Sequence, residues 1–161
     1  MLFEQYAGLM MTICLRYSRD CTEAEDMLQE GFIRVFRYIN QYKFEGSFEG
    51  WLKRIIVNAS LRILQKKVIH FSEINEELKD LQQADADVLS NLSEGEILKL
   101  ISNLPPGYRV VFNMYVMEGY SHIEIAEMLK INTGTCRSQL AKAKRTLQEQ
   151  IRSQQKLQID E

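Results

Sequence analysis

Four carboxylates crowd one short stretch: Glu23, Glu25, Asp26 and Glu30. Paired carboxylates can bind a cation or divide general acid and base work between them. Here no histidine, nucleophile or glycine-rich phosphate loop accompanies them, and helix capping accounts for Glu23 and Glu25. The chain is not expected to be an enzyme. Its cysteines, Cys14, Cys21 and Cys136, are odd in number and form no C-x-x-C, and neither His70 nor His122 stands at metal-ligand spacing from them. Buried thiols are expected, with no disulfide, no metal and no cofactor. Two other clusters suit binding. Tyr42, Phe44, Phe48 and Trp51 alternate with Lys43, Lys53, Arg54 and Arg62. Such a surface can stack unpaired bases and hold single-strand phosphates. Core burial explains Phe48 and Trp51, taken in isolation, better than base stacking does, but the loop Tyr42 to Ser47 less easily. Farther on, Lys130, Arg137, Lys142, Lys144 and Arg145 crowd a second stretch.

These cations stand in a chain of 161 residues with formal net charge −2 and pI near 5.8. The charge is segregated. From Lys53 to Lys67 there are bases and no acids, and from Lys130 to Lys156 only Glu149 opposes the bases. Between them, Ile69 to Leu100 has eight acids against Lys79 and Lys99. A polyanion meets the local field, so an acidic total does not exclude nucleic acid.

The elements that must position these residues read as helices. Prolines number two and glycines eight, and β-branched alternation is scarce. The run Leu9 to Leu15 is too short to cross a bilayer and lacks the basic flank of a signal peptide, so a cytoplasmic protein without membrane contact is expected. The spacing predicts a first helix burying Leu2, Tyr6, Leu9, Met10, Ile13 and Tyr17. A second, opened by a Thr22–Glu25 capping box, buries Met27, Leu28, Phe32, Val35, Phe36 and Ile39. Gly46 and Ser47 mark a turn into a third, with Phe48, Trp51, Leu52, Ile55, Ala59 and Ile63 on one side. The polar stretch His70 to Asn91 reads as a linker.

Ser93–Glu96 and Ser121–Glu124 are capping boxes. The first opens a helix with Ile97, Leu100, Ile101 and Leu104, stopped by Pro105 and Pro106. The next carries Val110, Val111, Met114 and Tyr115 and ends near Gly119. A short helix with Ile125, Met128 and Leu129 then turns through Lys130 to Asn132. Thr133 is expected to cap a long helix burying Cys136, Leu140, Ala143, Leu147 and Ile151. Its other face shows Arg137, Ser138, Ala141, Lys142 and Arg145. Short helix, tight turn and basic helix form a helix-turn-helix pattern, whose cations can meet guanine edges or phosphates. Thr133, Thr135 and the free amides at the helix start suit a phosphate.

Three stretches, Ala24 to Arg37, Phe44 to Asn58 and Tyr120 to Leu147, together resemble the extracytoplasmic-function sigma factors, small members of the bacterial sigma-70 superfamily. The resemblance implies an all-α chain of two helical domains. Residues 1–68 would be a region 2-like domain and 93–155 a four-helix, region 4-like helix-turn-helix domain. An acidic linker at 69–92 would join them, with a tail at 156–161. It further implies that Asp26, Gln29, Glu30 and Ile33 dock on the β′ clamp of core RNA polymerase. The loop Tyr42, Lys43, Phe44, Glu45 and Ser47, with Trp51 and Asn58, would capture flipped minus-ten bases, while Lys53, Arg54 and Arg62 hold nearby backbone. Thr133, Thr135, Arg137, Ser138, Lys142, Lys144 and Arg145 would meet minus-thirty-five duplex DNA, the β flap would be a second polymerase contact, and an anti-sigma factor would be a further partner. The linker would thread toward the RNA exit path.

Two departures are visible. Such proteins carry a short helix ahead of a segment like Leu2 to Gly8, which predicts a less stable first helix here. Lys142 stands where arginine is common, and lysine cannot make the bidentate guanine contact. A dimeric helix-turn-helix regulator is the main rival reading, yet it has no use for the Asp26–Gln29–Glu30 face or the aromatic loop. A protein-interaction bundle is the other.

Overall fold

The computed structural model describes residues 1–66 and 92–159, with side chains to 157. The linker expected at 69–92 therefore falls almost wholly outside the described residues. Among those described, every regular element is helical. The chain divides into two compact units.

In the N-terminal unit, α1 spans Leu2–Tyr17, α2 Cys21–Tyr38 and α3 Phe48–Lys66, with a 3-10 turn Ile39–Gln41 after α2. Each helix touches both others. Their shared core holds Met10, Ile13 and Tyr17 of α1, Met27, Phe32 and Val35 of α2, and Leu52, Ile56 and Leu64 of α3. Burying each such aliphatic side chain contributes roughly 1.5–3 kcal/mol. Cys14 lies in this core, and burial pushes its thiol up to about 11 against a smaller opposing hydrogen bond from Ser60. A thiol so placed is inert.

Several local expectations shift. The cap of α2 is Asp20, whose carboxylate accepts the Glu23 N–H at 2.9 Å, while Glu23 accepts the Arg19 N–H at 2.6 Å. The Thr22–Glu25 box is thus displaced by two residues, because the helix already begins at Cys21. Leu9 and Phe36, placed in the core by spacing, are 43% and 52% exposed. On α3 the buried face is Leu52, Ile56, Val57, Ala59, Ser60, Leu61 and Leu64. This helix is covered by both α1 and α2, so its buried face is broad. Phe48, Trp51, Ile55 and Ile63 fall on its half-buried edge.

The C-terminal unit comprises α4 Glu94–Ser102, α5 Pro106–Phe112, a π turn Asn113–Met117, α6 His122–Leu129 and α7 Thr133–Ile159. Both serine capping boxes form as read, and the Ser93 hydroxyl and amide hold the Glu96 carboxyl below its usual range. Pro106 occupies the first turn of α5, where its missing N–H is harmless. Tyr115, expected in the core, lies in the π turn and is partly exposed, because the wider turn rotates it outward. The stripe Cys136, Leu140, Ala143, Leu147 and Ile151 is buried throughout, and α7 packs against α4, α5 and α6.

Candidate nucleic-acid interface

The connection from α2 to α3 is short, and its backbone is set by two left-handed residues, Phe44 at φ +58° and Gly46 at φ +85°. Glycine suits the second at no steric cost. Ser47 then caps α3: its hydroxyl accepts the Gly50 N–H at 3.0 Å and its carbonyl accepts the Trp51 N–H at 3.2 Å. Within this turn four aromatic rings meet. Tyr42 lies 4.9 Å from Phe44, 5.3 Å from Phe48 and 5.3 Å from Trp51, and Phe48 lies 5.6 Å from Trp51. These are the separations at which aromatic pairs attract. Tyr6 of α1 approaches Phe48 at 5.8 Å and ties the cluster to the core. Phe44 stays 86% exposed, with Lys43, Glu45 and Ser47 also open to solvent.

Trp51, Arg54, Asn58 and Arg62 follow at helical spacing along α3, the last three exposed. The aromatic cluster therefore runs into a cationic and amide stripe. Lys53 is set apart from it, its ammonium paired with Glu49 at 2.7 Å. On α2, Asp26, Gln29 and Ile33 are exposed, whereas Glu30 binds Arg34 at 2.7 Å. Apart from Ile33, the sequence reading misses the apolar half of this face. Phe3, Leu28, Phe32, Ile33 and Phe36 line a shallow groove with Gln29. Phe36 continues the apolar stripe of α2, which conceals in sequence that it is half exposed.

In the C-terminal unit Lys130 ends α6 in the left-handed conformation, φ +57°, and turns the chain into α7. Asn132, not Thr133, caps α7: its side chain accepts the Thr135 N–H at 2.6 Å and its carbonyl the Cys136 N–H at 3.1 Å. Thr133 is already the first helical residue. Thr135 is buried and its amide is occupied by Asn132, which leaves Thr133 and Gly134 at the open start of the helix. Arg137 and Arg145 are exposed, and Ser138 and Ala141 are half-buried between them. Lys144 is drawn aside, its Nζ 5.9 Å from the centre of the Tyr115 ring. Lys142 is half-buried, its Nζ covered and without a hydrogen-bond partner among the described residues.

Tyr115 also stacks on His122 at 4.5 Å, and His122 Nδ1 lies 3.3 Å from Cys136 Sγ. Burial first, then Arg137 and Lys144, hold the imidazole below its ordinary pKa, and burial pushes the Cys136 thiol up. A neutral ring thus bridges the start of α6 to α7. Sequence spacing gives no sign of this contact across 14 residues; the helix-turn-helix brings the two side chains together.

Residues 2–68 match the family described as Sigma-70 region 2, and residues 94–147 match Sigma-70, region 4. The ECF RNA polymerase sigma factor SigW of Bacillus subtilis is 31% identical over 163 residues, covering 91% of this chain and 85% of that protein. The chain belongs to the extracytoplasmic-function sigma factors. It is a promoter-recognition factor for transcription initiation. The sigma factor SigE of Mycolicibacterium smegmatis is 29% identical, and the alignment covers 93% of this chain and 60% of that longer protein. The sigma factor RpoE of Bartonella quintana, solved with the anti-sigma factor NepR, shares the fold at a TM-score of 0.58 and 17% identity, over 91% of this sigma factor and 92% of that chain. CnrH, solved with the cytosolic domain of CnrY, does so at 0.52 and 15%, over 94% and 86%. Among the described residues no helix is long and apolar enough to cross a membrane.

Proposed function

We propose that this sigma factor binds core RNA polymerase through Asp26, Gln29, Glu30 and Ile33 of α2, meets the minus-thirty-five duplex with α7, and stabilises melted minus-ten DNA at the α2–α3 loop. The aromatic cluster running into Arg54, Asn58 and Arg62 carries this reading, since a duplex-binding regulator has no use for it. A base stacked on an aromatic side chain gains about 1–3 kcal/mol, comparable to the cost of unstacking it from the duplex. Opening then needs no covalent chemistry from the factor. Preferential affinity for unpaired DNA shifts the duplex-to-open equilibrium, and polymerase performs the catalysis.

On α7, Arg137, Ser138 and Arg145 are placed to meet base edges and phosphates, with Thr133 at the helix start. Lys144, and Lys142 once its covered ammonium swings clear, act from its flanks as phosphate contacts, and Thr135 shapes the helix start rather than touching DNA. Lys53 supports Glu49 and lies near the backbone held by Arg54 and Arg62. The domain roles follow: residues 1–68 serve polymerase and minus-ten DNA, and 93–155 serve minus-thirty-five DNA and the β flap. An anti-sigma factor in the cytoplasm is the further partner, supported by the sigma factor RpoE of Bartonella quintana, solved with the anti-sigma factor NepR.

Abortive transcription with purified core polymerase on genomic promoter fragments tests the reading. Asp26→Ala/Gln29→Ala should lose core binding, and Trp51→Ala should keep core binding but fail to open DNA. A protein that shifts duplex DNA alone yet never binds core would instead be a free-standing regulator.

A further inference from the structure

Tyr42 differs from its neighbours in the capture loop. Its ring is half-buried at the centre of the cluster, touching Phe44, Phe48 and Trp51. Its hydroxyl donates to the Gly46 carbonyl at 2.9 Å, closing the loop across four residues. Between the two ends of that bond the chain enters the left-handed region twice, once at the non-glycine Phe44. A non-glycine residue in that region persists only where its surroundings hold it there. The Phe44 ring meets Tyr42 on one side and is otherwise 86% exposed, a presentation that apolar burial would oppose rather than favour.

We propose that Tyr42 is a positioning residue for promoter opening: through its bond to the Gly46 carbonyl and its ring against Phe44, it holds Phe44 outward and ready to stack on an unpaired base, without touching DNA itself. The proposal rests on the loop's role in base capture. A loop held in its competent conformation binds with its full intrinsic affinity, whereas a loop that populates it only in part loses affinity by that fraction.

The test uses holoenzyme assembled from core polymerase and the full chain, on a promoter carrying 2-aminopurine in the non-template minus-ten strand. Tyr42→Phe keeps the ring and deletes the hydroxyl. It should lower open-complex occupancy by up to about three- to tenfold, the equivalent of one neutral hydrogen bond, with binding to core polymerase unchanged. Phe44→Ala should lose at least as much. The double variant should be no worse than Phe44→Ala, because Tyr42 acts only through Phe44. If the two losses multiply, or Tyr42→Phe is silent while Phe44→Ala is impaired, Tyr42 has no positioning role although the loop still captures bases. If Phe44→Ala opens promoters normally, base capture at this ring is wrong and the positioning role falls with it.

Discussion

Gly31 is buried in α2 where that helix meets α3. A Cβ there would overlap Cδ1 of Ile56 and come within 3.5 Å of the Ile56 backbone. Ile56 is itself fully buried, so its side chain has little room to turn away. Two effects of Gly31→Ala therefore oppose each other. Alanine in a helix gains about 1 kcal/mol over glycine. Overpacking a filled core costs about 1–3 kcal/mol. The second is larger, and the expected result is a net loss of about 1 kcal/mol, or ~4–8 °C in the midpoint of a unit this small. Ile56→Val removes the overlapping methyl and alone costs about 0.5–1.5 kcal/mol. Together the two changes should be less destabilising than their sum by about 1–2 kcal/mol.

Urea unfolding followed by tryptophan fluorescence isolates the effect, because the sole tryptophan, Trp51, lies on α3 of the same unit. That choice avoids treating two units as one transition. Gly31 also lies between Glu30 and Ile33, so core binding should weaken in Gly31→Ala and recover in the double variant. If Gly31→Ala stabilises by the full propensity gain and Ile56→Val merely adds, the close approach of α2 to α3 has been misjudged.

Two further outcomes concern the C-terminal unit. The folded pKa of His122 lies below its ordinary 6.5, so the unfolded chain takes up the proton more readily. The stability it contributes is complete above that value and lost as pH falls toward the folded pKa. Thermal midpoints measured from about pH 7 to about pH 5 should therefore fall less steeply in His122→Gln; an equal slope in both proteins would refute the assignment. Asn132→Ala should cost about 0.5–2 kcal/mol by removing the cap of α7. Asn132→Asp should retain that stability, since the helix start favours a negative charge, yet weaken binding to a minus-thirty-five fragment in a mobility-shift assay. Equal binding by Asn132→Asp and the unaltered protein would mean the start of α7 does not face phosphate.

Legibility differed between the two units for a physical reason. In the C-terminal unit the long helix α7 buries one narrow stripe, and Cys136, Leu140, Ala143, Leu147 and Ile151 could be read directly from their spacing. Its serine boxes are local interactions and were equally readable. In the N-terminal unit α3 is enclosed by two helices, so more than one face is buried and a single stripe misplaces Phe48 and Trp51. Caps moved for a related reason. Asp20 and Asn132 compete with the nearby Thr22 and Thr133, and only the position at which each helix begins decides which side chain meets the free amides. The His122–Cys136 contact depends on the turn through Lys130 and has no local signal at all.

The mismatch between an acidic chain and a DNA-binding role narrows once six carboxylates of the described residues are followed to their partners. Asp20 and Glu23 cap α2, Glu30 holds Arg34, Glu49 holds Lys53, and Glu96 and Glu124 close capping boxes. Helix ends and neighbouring turns thus absorb these charges locally. Arg54 and Arg62 on α3, and Arg137 and Arg145 on α7, form no ion pair among the described residues. Such cations are available to replace the counterions of a phosphate backbone, the dominant source of affinity for DNA. Net charge sums over acids that face helix amides as well as bases that face solvent, whereas a polyanion meets the exposed charges within a screening length of about 8–10 Å. The exposed aromatic Phe44 then contributes what charge cannot, a preference for an unpaired base over a paired one.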